Sequence, residues 1–169
     1  IRDRQARLVG SEMCIRDSTC HMLRTRHSGS DALVDVHILV DPALSVSEGH
    51  QIGEAVRWRL IKTIDDVSDV TVHIDPEDDE QASSCAGLPL RDEVLRRLEQ
   101  QWQPLDIGER LDKVVVHYLD GQVHVEVFLH STGEDSQQLA ELSRAIRESA
   151  QGAQDIGDVS VYVQHDNAQ

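Results

Sequence analysis

Between Asp31 and Asp41 the chain alternates. Val34, Val36, Ile38 and Val40 fall on one side of an extended backbone, and Asp35, His37, Leu39 and Asp41 fall on the other. This pattern suits a strand with one face on a core, and it does not fit the period of a helix. The flanks then leave few choices. Ser28-Gly29-Ser30-Asp31 is a turn cluster, so the segment from about Cys20 to Arg26 reads as the other arm of a hairpin. Pro42 ends the strand, and Ser45 or Ser47 caps a helix with Glu48 in its first turn. Ile52, Val56, Leu60 and Ile64 recur at helical spacing, with Arg57, Arg59 and Lys62 elsewhere around that helix. Val67 to Ile74 alternates again, with Val70, Val72 and Ile74 on one face and Thr71, His73 and Asp75 on the other. The order is strand, strand, helix, strand.

The same order returns downstream. The stretch Glu77-Asp78-Asp79-Glu80 is acidic, and Gln81 to Gly87 is small and flexible, which marks a boundary. Pro89 opens a helix to about Gln103, with Val94, Leu95, Leu98 and Trp102 on one side. Lys113 to Leu119 alternates, Asp120-Gly121 is a two-residue hairpin signal, and Val123 to Leu129 is the return strand. Ser136 caps a helix carrying Leu139, Leu142, Ala145 and Ile146, and Asp158 to Val163 is a last strand. A constant shift lays Val34, Val36, Ile38 and Val40 on Val123, Val125, Val127 and Leu129, and Asp69 to Val72 on Asp158 to Val161. In that alignment His37 meets Glu126, His73 meets Tyr162 and Asp75 meets Gln164. The fold class is therefore α+β, with two β-β-α-β units in tandem: a first unit at 20–80, a linker at 81–88 and a second, degenerate copy at 89–169.

Residues 1–19 differ from the rest and carry no sustained helical or strand period. Ile15-Arg16-Asp17-Ser18 nearly repeats Ile1-Arg2-Asp3-Arg4, and Ser11 to Asp17 resembles a translated adaptor used in preparing sequencing libraries. The prefix is set aside as an artefact or a disordered tail, and the protein is expected to be truncated upstream of about Thr19.

The chain has 169 residues with 39% hydrophobic and only 3% aromatic, so its cores must be built from Val, Leu, Ile and Ala. Lys and Arg number 16 against 31 Asp and Glu, a formal charge of -15. That balance argues against nucleic acid, which calls for a basic stripe, and suits a surface that attracts cations; solubility alone accounts for it equally well. Three cysteines without a CxxC pair, Cys14, Cys20 and Cys85, make no disulfide framework. No apolar run is long enough to span a bilayer.

Histidines fall at telling places in the first unit. His73 and Asp75, two apart on a strand, leave the same non-core face; His37 lies on the non-core face of its own strand. His21 lies near the start of the first strand and His50 in the first turn of the helix. Imidazole and carboxylate are the usual ligands of Zn²⁺ and also serve Fe²⁺ or Mn²⁺. A single histidine on a strand face is an ordinary polar surface residue, and spacing alone leaves both readings open. His27, beside the turn, reads as a surface histidine.

The combination of His21-x-Leu23-Arg24-Thr25-Arg26 followed by Gly29, the Val-Asp-Val-His37 strand, the Glu-Gly-His50 helix start and Val-His73-Ile-Asp75-Pro76 resembles the cytoplasmic C-terminal domain of cation diffusion facilitator transporters. The resemblance covers about residues 21–80. It implies a ferredoxin-like or metallochaperone-like domain that forms a homodimer, with Zn²⁺ (Fe²⁺ or Mn²⁺ as alternatives) bound near the interface by His21, His37, His50, His73 and Asp75. It also implies a partner absent here, the transmembrane domain of the same polypeptide, and a place on the cytoplasmic face of the cell membrane. The function implied is a regulatory metal-binding domain of a proton-coupled divalent cation exporter. The alternative is a free-standing metal-binding module or metallochaperone of the same fold. An enzyme is not expected, since no general base, nucleophile or oxyanion arrangement can be placed in the sequence.

Overall fold

The computed structural model describes residues 20–29, 31–150 and 155–164. The prefix at 1–19, with Cys14, lies outside the described residues, as does His165. The chain divides into two compact units, 1–81 and 82–169.

In the first unit, β1 (Cys20–Ser28) and β2 (Asp31–Leu39) form the hairpin, α1 (Val46–Thr63) crosses over, and β3 (Val67–Asp75) returns parallel to β2. The sheet order is β1-β2-β3. Gly29 in the turn has φ 69°, a conformation that glycine adopts without the cost of a Cβ. Helix α1 begins at a reciprocal capping box. The Ser45 hydroxyl accepts from the Glu48 backbone N–H (3.2 Å), and the Glu48 carboxylate accepts from the Ser45 N–H (3.0 Å). The Ser45 hydroxyl, which also donates to that carboxylate, and then the Ser45 N–H hold Glu48 below the usual carboxylate pKa. Ser45, not Ser47, is the cap. Alternation buries Val34, Val36, Ile38 and Val40 against Val56, Val67 and Val70. The helix lies close to the sheet because Gly49 and Gly53 face Ile74: a Cβ on Gly53 would sit 3.1 Å from Ile74 Cδ1. Arg57 ties α1 to β3, donating to the Val70 carbonyl and pairing with Asp69 at 3.2 Å.

In the second unit, α2 (Arg91–Trp102) and two 3₁₀ turns precede β4 (Leu111–Leu119), β5 (Gln122–His130), α3 (Ser136–Ala150) and β6 (Ile156–Gln164), with sheet order β4-β5-β6. Asp120 (φ 48°) and Gly121 (φ 72°) make the expected tight hairpin. Asp135 is the residue that caps α3: its carboxylate accepts from Gln137 and Gln138 N–H, while Gln138 accepts from the Asp135 N–H. The sequence reading put the cap at Ser136, one residue late. Val94, Leu98 and Trp102 of α2 are buried with Val123, Val125, Val127, Leu129 and Ile146. Among the described residues the first unit has no counterpart of α2. Leu23, on the core side of β1 opposite Val36, is accordingly 41% exposed, whereas Val114 is 9%.

The two units repeat one another bond for bond, and this corrects the alignment read from the sequence. Ser28 pairs with Asp31 across the first turn, as Leu119 pairs with Gln122 across the second. Val40 N–H donates to the Asp75 carbonyl (3.0 Å), as Ser131 N–H donates to the Gln164 carbonyl (2.9 Å). His37 is paired with His73, as Phe128 is with Tyr162. His37 therefore corresponds to Phe128, two residues beyond Glu126, while His73 with Tyr162 and Asp75 with Gln164 stand as read. The register also shifts between Cys20 and Met22 and, at the matching place, between Leu111 and Lys113, so His21 corresponds to Asp112.

Candidate metal centre

Parallel pairing of β2 with β3 sets His37 beside His73 and Leu39 beside Asp75. Every second residue of β2 points to the core, so His37 points away from α1, and His73 and Asp75 share its face. The His37 and His73 rings are stacked, with centroids 4.4 Å apart and planes 10° from parallel. Asp75 Oδ2 lies 2.8 Å from His37 Nδ1, both side chains being largely shielded. A carboxylate at Nδ1 accepts a hydrogen bond when that nitrogen carries the proton, a contact that orients metal-binding imidazoles in general.

The other expected ligands sit elsewhere. His50 is exposed in the first turn of α1, on the helix that covers the opposite face of the sheet. Its neighbour Gly49 contacts Ile74, next to Asp75, which places His50 at the same end of the sheet as the carboxylate. His21 is the bulged residue of β1, between the Cys20–Ile38 and Met22–His37 pairs; its side chain lies outside the described residues. Among the described residues no group of three or more His, Cys, Asp or Glu side chains is gathered as a metal-holding set. The stack itself sets a limit. Two nitrogens of a tetrahedral Zn²⁺ lie about 3.3 Å apart, given Zn–N of about 2.0–2.1 Å. Rings 4.4 Å apart reach one ion together only after one turns off the stack. The donor chemistry, two imidazoles and a carboxylate on one face, fits a borderline divalent ion.

The register adds two neighbours to this face. Met22 pairs with His37 and so flanks the histidines on the β1 side. Arg26 pairs with Asp35 at 3.3 Å on the same face, an ion pair between exposed groups that helps fix the hairpin. The residues that each of them faces are set by the cross-strand register, which a linear pattern does not carry.

The first unit is a compact β-β-α-β module of the ferredoxin-like class with two imidazoles and a carboxylate on its outer sheet face. Residues 16–77, within the first unit, match the family model for the cation efflux protein cytoplasmic domain. This is a family of transporters, not of enzymes. Over 57 residues the chain is 51% identical to metal tolerance protein C1 of Arabidopsis thaliana, covering 34% of this chain and 12% of that protein. It is 38% identical over 56 residues to the cation-efflux pump FieF of Pectobacterium atrosepticum, covering 33% and 18%. The chain thus spans under a fifth of the length of these relatives. Among solved structures, the metal-bound C-terminal domain of the CzcD transporter from Thermotoga maritima is 30% identical, with 37% of this chain and 73% of that chain covered and a TM-score of 0.35. The chain's likeness to a manganese form of the MamM C-terminal domain is 28% identical, with 45% and 98% covered and a TM-score of 0.40. No helix among the described residues is long and apolar enough to cross a membrane.

Proposed function

We propose that the first unit is a cytoplasmic regulatory domain of a proton-coupled divalent cation exporter. It binds Zn²⁺ in preference to Fe²⁺ or Mn²⁺ on the His37, His73 and Asp75 face, and His21 and His50 complete the ion's shell where two copies of the chain meet. The observation that carries this reading is the His37–Asp75 contact at 2.8 Å with His73 stacked alongside. It presents an oriented imidazole, a second imidazole and a carboxylate in one place, within a unit that the cation efflux family model covers. Among the described residues one protomer gathers too few ligands to close a tetrahedron, and a two-fold contact between copies would supply the rest. Binding then favours the paired arrangement, because an ion shifts an equilibrium only as far as it binds one state better than the other. The chain's charge of -15 raises the local cation concentration. Transport itself belongs to a membrane domain of the same polypeptide.

Calorimetry and sedimentation with Zn²⁺ over about pH 5.5–7.5 test this, because ligating imidazoles must shed protons. Wild type is expected to bind, to dimerise more strongly with Zn²⁺ and to lose affinity as pH falls. His73→Ala is expected to lose most of the binding. Equal binding by the two proteins would remove the site.

A further inference from the structure

We propose that the second unit is a metal-blind counterpart of the first, in which the Lys113 ammonium and the stacked rings of Phe128 and Tyr162 take the place of an ion and its imidazoles. The comparison with the first unit's site rests on the reading of that unit given above.

The bond-for-bond register decides which residues to compare. Where His37 stacks on His73 at 4.4 Å, Phe128 stacks on Tyr162 at 4.9 Å with planes 18° apart. The stack is kept and its nitrogens are gone. Phenyl has no lone pair to offer, and a phenol is a ligand only when deprotonated, which costs more than the loss of an imidazole proton. Where Asp75 supplies a carboxylate, Gln164 supplies a neutral amide. The Tyr162 hydroxyl turns to Glu126 at 3.4 Å.

The place of the cation is filled from within the chain. Lys113 corresponds to Met22, each being paired with the β5 or β2 member of the stack. The Lys113 Nζ lies 4.4 Å from the centre of the Phe128 ring, within range of a cation–π contact. A fixed positive charge there repels an incoming divalent ion. The two ligand-type residues left at that end, Asp112 and His130, are paired with one another at 3.7 Å, and no third such side chain joins them among the described residues. A diagonal contact is kept in the same place as well: Arg26 with Asp35 becomes His117 Nε2 facing the Glu126 carboxylate at 3.7 Å. The second unit thus holds its outer face with internal groups, and that face is set whether or not metal is present.

The test uses the whole chain with the first unit disabled by His37→Ala and His73→Ala. In that background Zn²⁺ is expected to give no calorimetric binding in the micromolar range and no shift in the melting of the second unit. Adding Lys113→Met, Phe128→His, Tyr162→His and Gln164→Asp is expected to create Zn²⁺ binding of about one ion per chain or per pair of chains, absent from the parent. Zn²⁺ binding in the parent that disappears with Asp112→Ala or His130→Ala would overturn the proposal. So would a folded, converted chain that still binds nothing. If the converted chain does not fold, the melting of the parent with and without Zn²⁺ decides. Failure of the wild-type chain to bind Zn²⁺ would sink the reading of the first unit, whereas the expected indifference of the second unit to metal stands on Lys113, Phe128, Tyr162 and Gln164 and is judged by the parent alone.

Discussion

The imidazole of His37 is held between two groups of β3: His73 stacks on its face at 4.4 Å, and Asp75 meets its Nδ1 at 2.8 Å. The ring is oriented before any ion arrives. Asp75→Asn keeps the shape and a carbonyl acceptor but removes the charge that stabilises a ring coordinated through Nε2. Zn²⁺ affinity is expected to fall by at least about 10- to 100-fold with little change in melting temperature: that is the general loss on removing a carboxylate that orients a metal-bound histidine, and Asp75 is also a proposed ligand. Isothermal titration beside thermal melts checks both halves of the statement.

Gly53 sets the spacing between α1 and the sheet. A Cβ there meets Ile74 Cδ1 at 3.1 Å and Val72 Cγ1 at 3.7 Å. Gly53→Val brings two further carbons into that space and is expected to destabilise the first unit by about 1–3 kcal/mol, the usual cost of overpacking. It also lifts the helix that carries His50 from the strand that ends in Asp75, so Zn²⁺ affinity should fall with stability. Urea unfolding and titration on the same variant measure the two effects. Unchanged values for both would show that the close approach is not needed.

Glu134 gives the second unit a pH dependence of its own. Its carboxylate accepts from the Thr132 hydroxyl (2.6 Å) and the Thr132 N–H (2.9 Å) and pairs with Arg110, which takes its pKa from 4.5 down to about 2. A depressed folded-state pKa contributes stability that is complete above the unfolded value and is lost as pH falls through the folded one. The melting temperature of wild type is therefore expected to exceed that of Glu134→Gln above about pH 5. The gap should close as pH falls from 4.5 to about 2. A gap that stays constant over that range would contradict the assignment.

Trp102 is buried in the core of the second unit, and its indole Nε1 has no hydrogen-bond partner among the described residues. Truncation and removal of the N–H should then separate. Trp102→Ala is expected to cost about 3–5 kcal/mol through the cavity it leaves. Trp102→Phe loses volume but also relieves an unsatisfied buried donor, and is expected to cost clearly less. Chemical denaturation of the two variants gives the comparison.

The strands and helices of both units were legible because alternation and helical spacing are local properties of the chain. The choice of His37, His73 and Asp75 as residues of one face followed from the same periodicity. The matching of the two units was not legible at the hairpins. A shift by two residues leaves every apolar residue on the core face, so Val34 lies as well on Val123 as on Val125 by pattern alone. Only the turn pairs, Ser28 with Asp31 and Leu119 with Gln122, fix the register and reveal that an aromatic stack replaces the histidine stack. The bulge at His21 was hidden for a related reason, since a bulge is a property of the pairing between strands. The cap of α3 was misplaced by one residue because Asp135 and Ser136 are both good caps, and the reciprocal bond from Gln138 selects the first.

The parallel pairing of β2 with β3 also bears on the order of assembly. The hairpin closes over two residues and forms from local contacts, whereas β3 reaches its place only after the whole of α1 has been spanned. His37 arrives with the early part and His73 and Asp75 with the late part. An ion held by all three could bind only a first unit whose β3 has docked, so the proposed uptake would act as a latch on the last step of that unit's folding.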